Sequence, residues 1–370
     1  MEAELKKYKD KAIKHFLTIK IINEEIEKLT LNKSTINCVF ELINQILLNK
    51  KFIRTNLNYI KMQSNMEKDC DTLKNALKTK GEVLVDFILS KKLEDRLKLR
   101  ENYKACWGKD LLEDINRHLH GNFKKAVKGM FMRKAEFDAE CLHHAMKGMG
   151  TEDDCLIEIL CTRSNEQLKE IIKEFELLSP KSSLEDWVRG DTSGAYRNLL
   201  ISLLQCKRSD NSVPDDSRCR QLAEELYKAG EKRLGTNEDI FNKIFALSSP
   251  PEIFSINQYY STISKHNLRK AIEREYSGNA QKALVTVLDS TLSQTDYYAN
   301  RIHKAVKGIG THDKMLIRAL VSREEIDIPE IRESYKRIFG KSMVDDIRSD
   351  TSGDYRKLLL GIATVNNLSQ

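Results

Sequence analysis

Residues 145–151 of the chain read AMKGMGT, and residues 305–311 repeat this text as AVKGIGT. A second pair of matching segments follows them: residues 189–197 read RGDTSGAYR, and residues 348–356 read RSDTSGDYR. The members of the two pairs are separated by 160 and 159 residues. Because the two separations agree, the four segments belong to two copies of one larger unit.

An altered third copy lies between these two. Residues 230–236 read GEKRLGT, and residues 273–279 read EREYSGN. Its Gly235 follows Gly150 by 85 residues and precedes Gly310 by 75 residues, so the unit is roughly 75–80 residues long. Self-similarity at such a period predicts an array of repeated structural units.

Apolar residues within each unit follow the period of a helix. In the second unit, Leu168, Ile171, Ile172 and Phe175 obey the i, i+3, i+4, i+7 rule, and four other short stripes accompany them. The chain is 40% hydrophobic and has only 5 prolines and 16 glycines, which favours helices over strands. The sequence therefore predicts an all-α fold with five short helices in each repeat.

The glycine-rich turn and a later acid together suggest a calcium site. Calcium prefers about six to eight hard oxygen ligands at about 2.3–2.6 Å, and a turn rich in glycine can direct several backbone carbonyls to one point. Those carbonyls carry no formal charge, so a carboxylate is also needed. Asp191, Glu275 and Asp350 stand 40 or 41 residues after the last glycine of the three turns.

Helix capping is the alternative explanation for each half of the motif. Thr151, Thr236 and Thr311 stand where the second helix of a repeat needs an N-cap. The second half of the motif is harder to explain by capping. A capping position would accept Ser or Asn and would rarely be Glu, whereas positions 191, 275 and 350 are all acidic. The constant acid at a constant spacing favours metal binding over capping alone.

These motifs resemble the repeats of the annexin family. The second and fourth units, with Lys-Gly-X-Gly-Thr and Asp-Thr-Ser-Gly-X-Tyr-Arg, look like annexin repeats, and the third unit resembles the differently written third annexin repeat. The resemblance implies an all-α, slightly curved disc of four repeats, with its calcium loops on the convex, membrane-facing side. The expected boundaries are 1–66 for an N-terminal helical extension, 67–131 for a degenerate repeat 1, 132–208 for repeat 2, 217–290 for repeat 3 and 291–366 for repeat 4.

The resemblance also implies a function and a set of calcium ligands. The function is calcium-dependent binding to acidic phospholipid membranes, with Ca²⁺ bridging loop oxygens to lipid phosphates, in membrane organisation or trafficking. No enzyme activity, catalytic residue or organic cofactor is expected. The implied ligands are Met146, Gly148, Gly150 and Asp191 in repeat 2, Gly230, Arg233, Gly235 and Glu275 in repeat 3, and Val306, Gly308, Gly310 and Asp350 in repeat 4. The acids bind through their carboxylates and the other residues through their backbone carbonyls.

An apolar residue occupies the tip of each turn, and a basic residue stands nearby. The apolar residues are Met149, Leu234 and Ile309, and the basic residues are Lys147, Arg233 and Lys307. An exposed apolar tip is explained if the turn is pressed against a bilayer, where the basic residues would meet anionic headgroups. Packing of the tip onto a neighbouring loop is the alternative.

The first repeat departs from the pattern. Residues 78–82 read KTKGE, which is a shortened turn without Gly-X-Gly-Thr. His118 stands where the acid is expected, and neutral imidazole is a poor calcium ligand beside a carboxylate. We therefore expect three calcium sites rather than four.

Composition limits the remaining possibilities. No signal peptide is expected at the N-terminus, and no stretch approaches the roughly 18 apolar residues of a membrane span. We therefore expect a cytoplasmic protein that is peripheral on membranes when calcium is present. The net charge of +7 lies mostly in residues 1–66 and gives no basis for nucleic-acid binding. The 8 cysteines include no Cys-x-x-Cys pair and are expected to be buried, reduced thiols.

Residues 1–66 predict two amphipathic helices, which either pack onto the repeats or bind a protein partner or a second copy of the chain. A scaffold for protein partners, with weak or no calcium dependence, is therefore the alternative function. An aspartic-protease interpretation of Asp-Thr-Ser-Gly is rejected, because the additional Ser breaks that motif and the surroundings are helical.

Overall fold

The computed structural model of the chain describes residues 65–79, 81–232 and 235–365. The expected N-terminal extension lies almost entirely outside this part, and so do Arg233 and Leu234 of the third turn. The described residues form twenty helices and no strand, which confirms the all-α prediction.

The helices form four sets of five, one set for each repeat. Repeat 1 holds α1 (65–76), α2 (Gly81–Leu89), α3 (Leu93–Trp107), α4 (Leu111–His118) and α5 (Gly121–Met130). Repeat 2 holds α6 (Lys134–Met146), α7 (Asp153–Thr162), α8 (Asn165–Leu178), α9 (Leu184–Asp191) and α10 (Gly194–Leu204). Repeat 3 holds α11 (Asp216–Ala229), α12 (Glu238–Leu247), α13 (Pro250–Ile263), α14 (Leu268–Glu275) and α15 (Gly278–Leu292). Repeat 4 holds α16 (Gln294–Val306), α17 (Asp313–Arg323), α18 (Ile328–Phe339), α19 (Met343–Asp350) and α20 (Gly353–Thr364).

Helix α8 illustrates how the local sequence determines where a helix begins and which of its faces is buried. Ser164 begins the helix: its hydroxyl accepts from Gln167 N–H at 3.3 Å, and Gln167 Oε1 accepts from Ser164 N–H at 3.0 Å. This reciprocal capping box satisfies two N–H groups that the helix cannot pair internally. The predicted apolar stripe is buried at Leu168, Ile171 and Phe175 and partly buried at Ile172. The stripe therefore joins the core, as predicted.

The described residues divide into two compact units. The smaller unit comprises residues 65–79 and 98–111, where Leu73 and Tyr103 are fully buried. In this unit Lys74 Nζ lies 3.1 Å from the centroid of the Trp107 ring, a cation–π contact. The larger unit comprises residues 81–97 and 112–365 and contains all of repeats 2, 3 and 4.

Buried ion pairs join repeat 4 to repeats 1 and 2 within the larger unit. Glu158 of α7 is fully buried, and its Oε2 accepts from Arg301 Nη2 at 2.8 Å and from Arg318 Nη2 at 2.9 Å. Arg96 of α3 donates from Nη2 to both carboxylate oxygens of Glu324, at 2.8 and 2.7 Å. Because an unpaired buried charge is costly, these pairs constrain the relative positions of the helices that carry them.

The cysteines of the described part are all free thiols. Four are buried and two are partly buried, but Cys106 near the end of α3 is exposed, so the prediction of burial is wrong for that residue. Cys38 lies outside the described residues. None of the helices in the described part combines the length and the apolar character that a membrane span requires.

Candidate metal centres

The glycine-rich turns of repeats 2 and 4 connect the first helix of the repeat to the second. Gly148 and Gly150 lie between α6 and α7 and have φ angles of 106° and 89°. Gly308 and Gly310 lie between α16 and α17 and have φ angles of 132° and 85°. Residues other than glycine rarely adopt these φ angles, so the backbone conformation of the turn explains the Gly-X-Gly motif.

The main chain closes both turns in the same way. Glu152 N–H donates to the carbonyl oxygen of Ala145 at 2.9 Å, and His312 N–H donates to that of Ala305 at 2.8 Å. The carbonyl oxygens that the family resemblance implies as ligands accept no hydrogen bond from any described residue. They belong to Met146, Gly148, Gly150, Gly230, Gly235, Val306, Gly308 and Gly310. These oxygens can therefore be offered to a cation.

Each predicted acid is the last residue of the fourth helix of its repeat. Asp191 ends α9, Glu275 ends α14 and Asp350 ends α19. The unpaired carbonyls at a helix C-terminus make the local potential negative, so a carboxylate there is electrostatically unfavourable. A bound cation would remove this repulsion.

A threonine hydroxyl ties the turn to the acid in repeats 2 and 3. Thr151 Oγ1 donates to Asp191 Oδ2 at 2.9 Å, and Thr236 Oγ1 donates to Glu275 Oε2. The two halves of the motif are therefore in contact, through residues that are 40 apart in repeat 2 and 39 apart in repeat 3. This role was not predicted from the sequence, although a threonine follows the last glycine in all three copies.

The prediction that these threonines cap the second helix of each repeat is wrong. The N-cap is the next residue in every case: Glu152, Asn237 or His312. None of the three makes a side-chain capping bond. The threonine stands one residue too early to cap the helix, and its hydroxyl faces the end of the fourth helix instead.

Repeat 4 differs from the other two in this contact. Thr311 Oγ1 donates to the main-chain oxygen of Asp350 at 2.7 Å. Asp350 Oδ2 is buried and has no hydrogen-bond partner among the described residues. A buried acceptor without a partner costs about 1–3 kcal/mol, and a cation bound at this oxygen would remove that cost. The donor set of this turn therefore fits a metal ion.

In repeat 3 the turn and the acid approach each other at Gly230. This residue follows α11 with φ −114° and ψ −104°, and a Cβ placed on it would lie 3.2 Å from Glu275 Cγ. Glycine is therefore what permits the close approach of the chain to the carboxylate. Gly235 has a φ of 78°, as expected for the turn. Arg233, which the resemblance implies as a carbonyl ligand, lies outside the described residues.

The described residues contain no group of three or more His, Cys, Asp or Glu side chains that could hold a metal ion by itself. Each predicted site supplies a single carboxylate, so backbone oxygens have to provide the other protein ligands. Hard oxygen ligands of this kind suit Ca²⁺. The assignment of individual ligands stays a prediction.

Repeat 1 has a histidine in the position of the acid. His118 is the last residue of α4, just as the three acids are the last residues of their helices. Its Nδ1 lies 2.8 Å from the carbonyl oxygen of Asp114 in the same helix. Four residues separate α1 from α2, compared with six between the corresponding helices of repeats 2 and 4. The prediction that repeat 1 lacks the usual calcium site rests on these features.

The tips of the turns in repeats 2 and 4 face solvent. The side chains of Met149 and Ile309 are fully exposed, and Lys147 and Lys307 beside them are exposed as well. The alternative in which the apolar tips pack onto a neighbouring loop is therefore wrong for these two turns. Leu234, the tip of the third turn, lies outside the described residues.

The four repeats also match known proteins. The annexin family model matches residues 68–130, 137–203, 221–287 and 297–362. Annexin A4 of Canis lupus familiaris is 38% identical over 295 residues, which are 79% of this chain and 92% of that protein. Annexin A11 of Homo sapiens is 38% identical over 303 residues, which are 81% of this chain. The chain spans only 60% of the length of that annexin A11.

Solved structures give the same result. Annexin III aligns with a TM-score of 0.79 and 35% identity, over 81% of this chain and 94% of that chain. A calcium-bound annexin (Sm)1 aligns with a TM-score of 0.72 and 26% identity, over 81% of this chain and 90% of that chain. With four matched repeats and relatives of this similarity, the chain belongs to the annexin family, which is generally known for calcium-dependent phospholipid binding.

Proposed function

We propose that this protein binds acidic phospholipid membranes when calcium is present, through one calcium-binding turn in each of repeats 2, 3 and 4. The observation that carries the proposal is Asp350 Oδ2, a buried carboxylate oxygen without a partner among the described residues. The main-chain oxygen of the same residue accepts a hydrogen bond from Thr311 in the turn of repeat 4, so the carboxylate lies beside that turn. Membership of the annexin family and the likeness to a calcium-bound annexin support the proposal.

The residues proposed to hold calcium are those that the family pattern places in each turn, together with one acid. They are the carbonyls of Met146, Gly148 and Gly150 with Asp191, the carbonyls of Gly230, Arg233 and Gly235 with Glu275, and the carbonyls of Val306, Gly308 and Gly310 with Asp350. When bound, calcium would link these protein oxygens to the phosphate oxygens of acidic lipids. The glycines allow the carbonyls to converge, and the acid supplies the negative charge that the carbonyls lack.

The exposed tips provide a second, apolar contribution to membrane binding. Met149 and Ile309 are fully exposed, so their transfer into the bilayer interface removes apolar surface from water. Lys147 and Lys307 beside them carry charges opposite to those of acidic headgroups, and each basic residue near such a surface contributes about 1 kcal/mol. These contributions assist the calcium bridge and orient the turns toward the membrane.

Vesicle sedimentation tests the proposal. The full chain is mixed with phosphatidylserine vesicles in calcium or in chelator, and the fraction in the pellet is measured. The test variant replaces the three acids, as Asp191→Ala, Glu275→Ala and Asp350→Ala together. We expect the unchanged protein to sediment only in calcium, and the triple variant to stay in the supernatant under both conditions.

A matched control removes the same amount of negative charge elsewhere. Glu176, Glu225 and Glu333 are exposed acids, one in each of repeats 2, 3 and 4, and their joint change to Ala should leave sedimentation unaltered. If the unchanged protein sediments equally in chelator, or if the triple variant still sediments in calcium, the proposed calcium bridge is wrong.

The second candidate function is a scaffold for protein partners with weak or no calcium dependence. The observation that favours it is His118, which replaces the acid in repeat 1. A partner or a second copy would bind through residues 1–66. Failure to sediment with acidic vesicles even in calcium would favour this function over the first.

The proposal includes several further expectations that follow from the sequence. They are the repeat boundaries given above, a cytoplasmic and peripheral location, a role in membrane organisation or trafficking, and the absence of enzyme activity.

A further inference from the structure

A cavity of about 550 Å³ lies within the larger compact unit, between helices of repeats 1, 2 and 4. Five cationic side chains line it: Lys124, Lys125, Lys128, Lys314 and Arg318. Two carboxylates, Glu140 and Glu152, line it as well. With histidine neutral, the cavity wall therefore carries three more positive than negative charges.

The two carboxylates are already paired with cations of the wall. Lys128 Nζ donates to Glu140 Oε1, and His144 Nε2 lies 3.4 Å from the same oxygen. Lys314 Nζ pairs with Glu152 Oε1. The acids thus neutralise part of the wall, and the remaining positive charge belongs to other residues.

Two of the three remaining positive charges, those of Lys124 and Lys125, lie on helix α5, and the third is that of Arg318 on α17. Lys125 Nζ is bonded only to the neutral Asn122 Oδ1, at 3.3 Å, and neither Lys124 nor Lys125 forms an ion pair within the described residues. Cys141 and Cys155 also line the cavity, and burial raises the pKa of both thiols, that of Cys155 to about 11. Neither thiol therefore adds negative charge at neutral pH.

Arg318 forms part of the deep wall and is only 4% exposed. Its Nη2 donates to Glu158 Oε2 at 2.9 Å, but Glu158 is shared with Arg301. Arg318 Nε is buried and has no hydrogen-bond partner among the described residues. A buried N–H without an acceptor is costly, and the guanidinium group matches the geometry of phosphate oxygens.

From this geometry we propose that the cavity binds an organic ligand with two or more phosphate groups, of the kind present in inositol phosphates and phosphoinositide headgroups. Lys124 and Lys125 bind its phosphates, and Arg318 provides positive charge at the deep wall. The volume lies within the range of about 300–1,000 Å³ that is usual for small-molecule sites. None of the three turn acids lines the cavity, so binding needs no calcium.

Isothermal titration calorimetry of the full chain with inositol 1,4,5-trisphosphate, in chelator, tests the site. The test variant is Lys124→Ala with Lys125→Ala, and the control is Lys169→Ala with Lys173→Ala, which removes two exposed charges from α8 outside the cavity. Since each lost charge-assisted contact is worth about tenfold in affinity, the test variant should bind at least about tenfold more weakly. The control should bind as the unchanged protein does. Lys314→Ala, which leaves the Glu152 carboxylate of the cavity without its cation, should weaken binding as well.

A second experiment distinguishes a phosphoinositide headgroup in a membrane from a soluble inositol phosphate as the ligand. Phosphatidylcholine vesicles with and without phosphatidylinositol 4,5-bisphosphate are sedimented with the protein in chelator. Sedimentation that requires the bisphosphate lipid and is lost in the Lys124/Lys125 variant supports the site with a lipid headgroup as ligand. Trisphosphate binding without sedimentation supports the site with a soluble inositol phosphate as ligand. Absence of trisphosphate binding to the unchanged chain, or equal affinity of the test and control variants, overturns the proposal.

Discussion

Replacing Glu158 by glutamine should destabilise the protein by about 3 kcal/mol, because two buried guanidinium groups lose their shared carboxylate. Burial raises the pKa of Glu158, but Arg318 and Arg301 outweigh burial and lower it from 4.5 to about 2. At about 1.36 kcal/mol for each pH unit, this lowering corresponds to about 3 kcal/mol. The value lies at the lower end of the cost of breaking a buried ion pair, about 3–5 kcal/mol.

Thermal unfolding followed by circular dichroism at neutral pH measures this cost. An unfolding entropy of about 2.1 cal/mol/K per residue, taken over roughly 300 residues, amounts to about 0.6 kcal/mol per degree. The Tm of Glu158→Gln should therefore fall by about 5 °C. Glu170→Gln changes an exposed acid of α8 and should leave Tm unaltered.

The effect should also depend on pH in a defined direction. The pKa of Glu158 is lower in the folded than in the unfolded state, so its contribution is complete above the unfolded-state pKa. That contribution is lost as the pH falls toward about 2. The difference in Tm between the protein and Glu158→Gln should therefore shrink on acidification. A neutral-pH difference below about 1 °C, or one that grows in acid, would refute the reasoning.

Three further changes test the metal centres. Asp350→Asn should weaken calcium binding at repeat 4 by about tenfold or more in calorimetry, since the turn loses its charged ligand, whereas Asp345→Asn on the same helix should not. The double variant Met149→Ser with Ile309→Ser should weaken calcium-dependent vesicle binding by about 100-fold, because each side chain loses about 1.5 kcal/mol of apolar transfer free energy. Its Tm should not fall. Gly230→Ala should lower Tm by about 2 °C and weaken calcium binding at repeat 3, because its Cβ would crowd the acid there.

Each of these expectations has an outcome that contradicts it. Equal calcium affinity of the Asp350→Asn and Asp345→Asn variants would show that the turn of repeat 4 is not the site. Undiminished vesicle binding of the serine variant would mean that the tips do not enter the interface. An unchanged calorimetric titration of Gly230→Ala would separate that glycine from the third site.

The fold was predictable because its signals are local or repeated. The stripe of Leu168, Ile171 and Phe175 identifies a helix within a single window of the chain, and the Gly-X-Gly-Thr text identifies the turn. The constant spacing to an acid also identified which parts of the chain meet, since the same spacing occurs in three copies. The acids Asp191 and Glu275 do contact their turns through a threonine hydroxyl.

The remaining features depend on contacts that have no local pattern. The pairing of Glu158 with Arg318 joins residues 160 apart in sequence, and neither residue is distinguished by its neighbours. The cavity likewise combines lysines of α5 with residues of α6, α7 and α17. The threonine hydroxyls were misassigned because a position just before a helix suggests a cap, whereas the tertiary contact with the fourth helix decides their role.

The ion pairs of repeat 4 also bear on how the molecule comes apart. In an open array each repeat meets only its neighbours in sequence, and the terminal repeats fray first. Here Arg96 of repeat 1 is bound to Glu324 of repeat 4, so the last repeat in the chain also holds part of the first. Repeat 4 should therefore not unfold before the other repeats, although it is the last in sequence. Native-state hydrogen exchange should accordingly show its buried helices opening together with those of repeat 2, with no progressive melting from the C-terminal side.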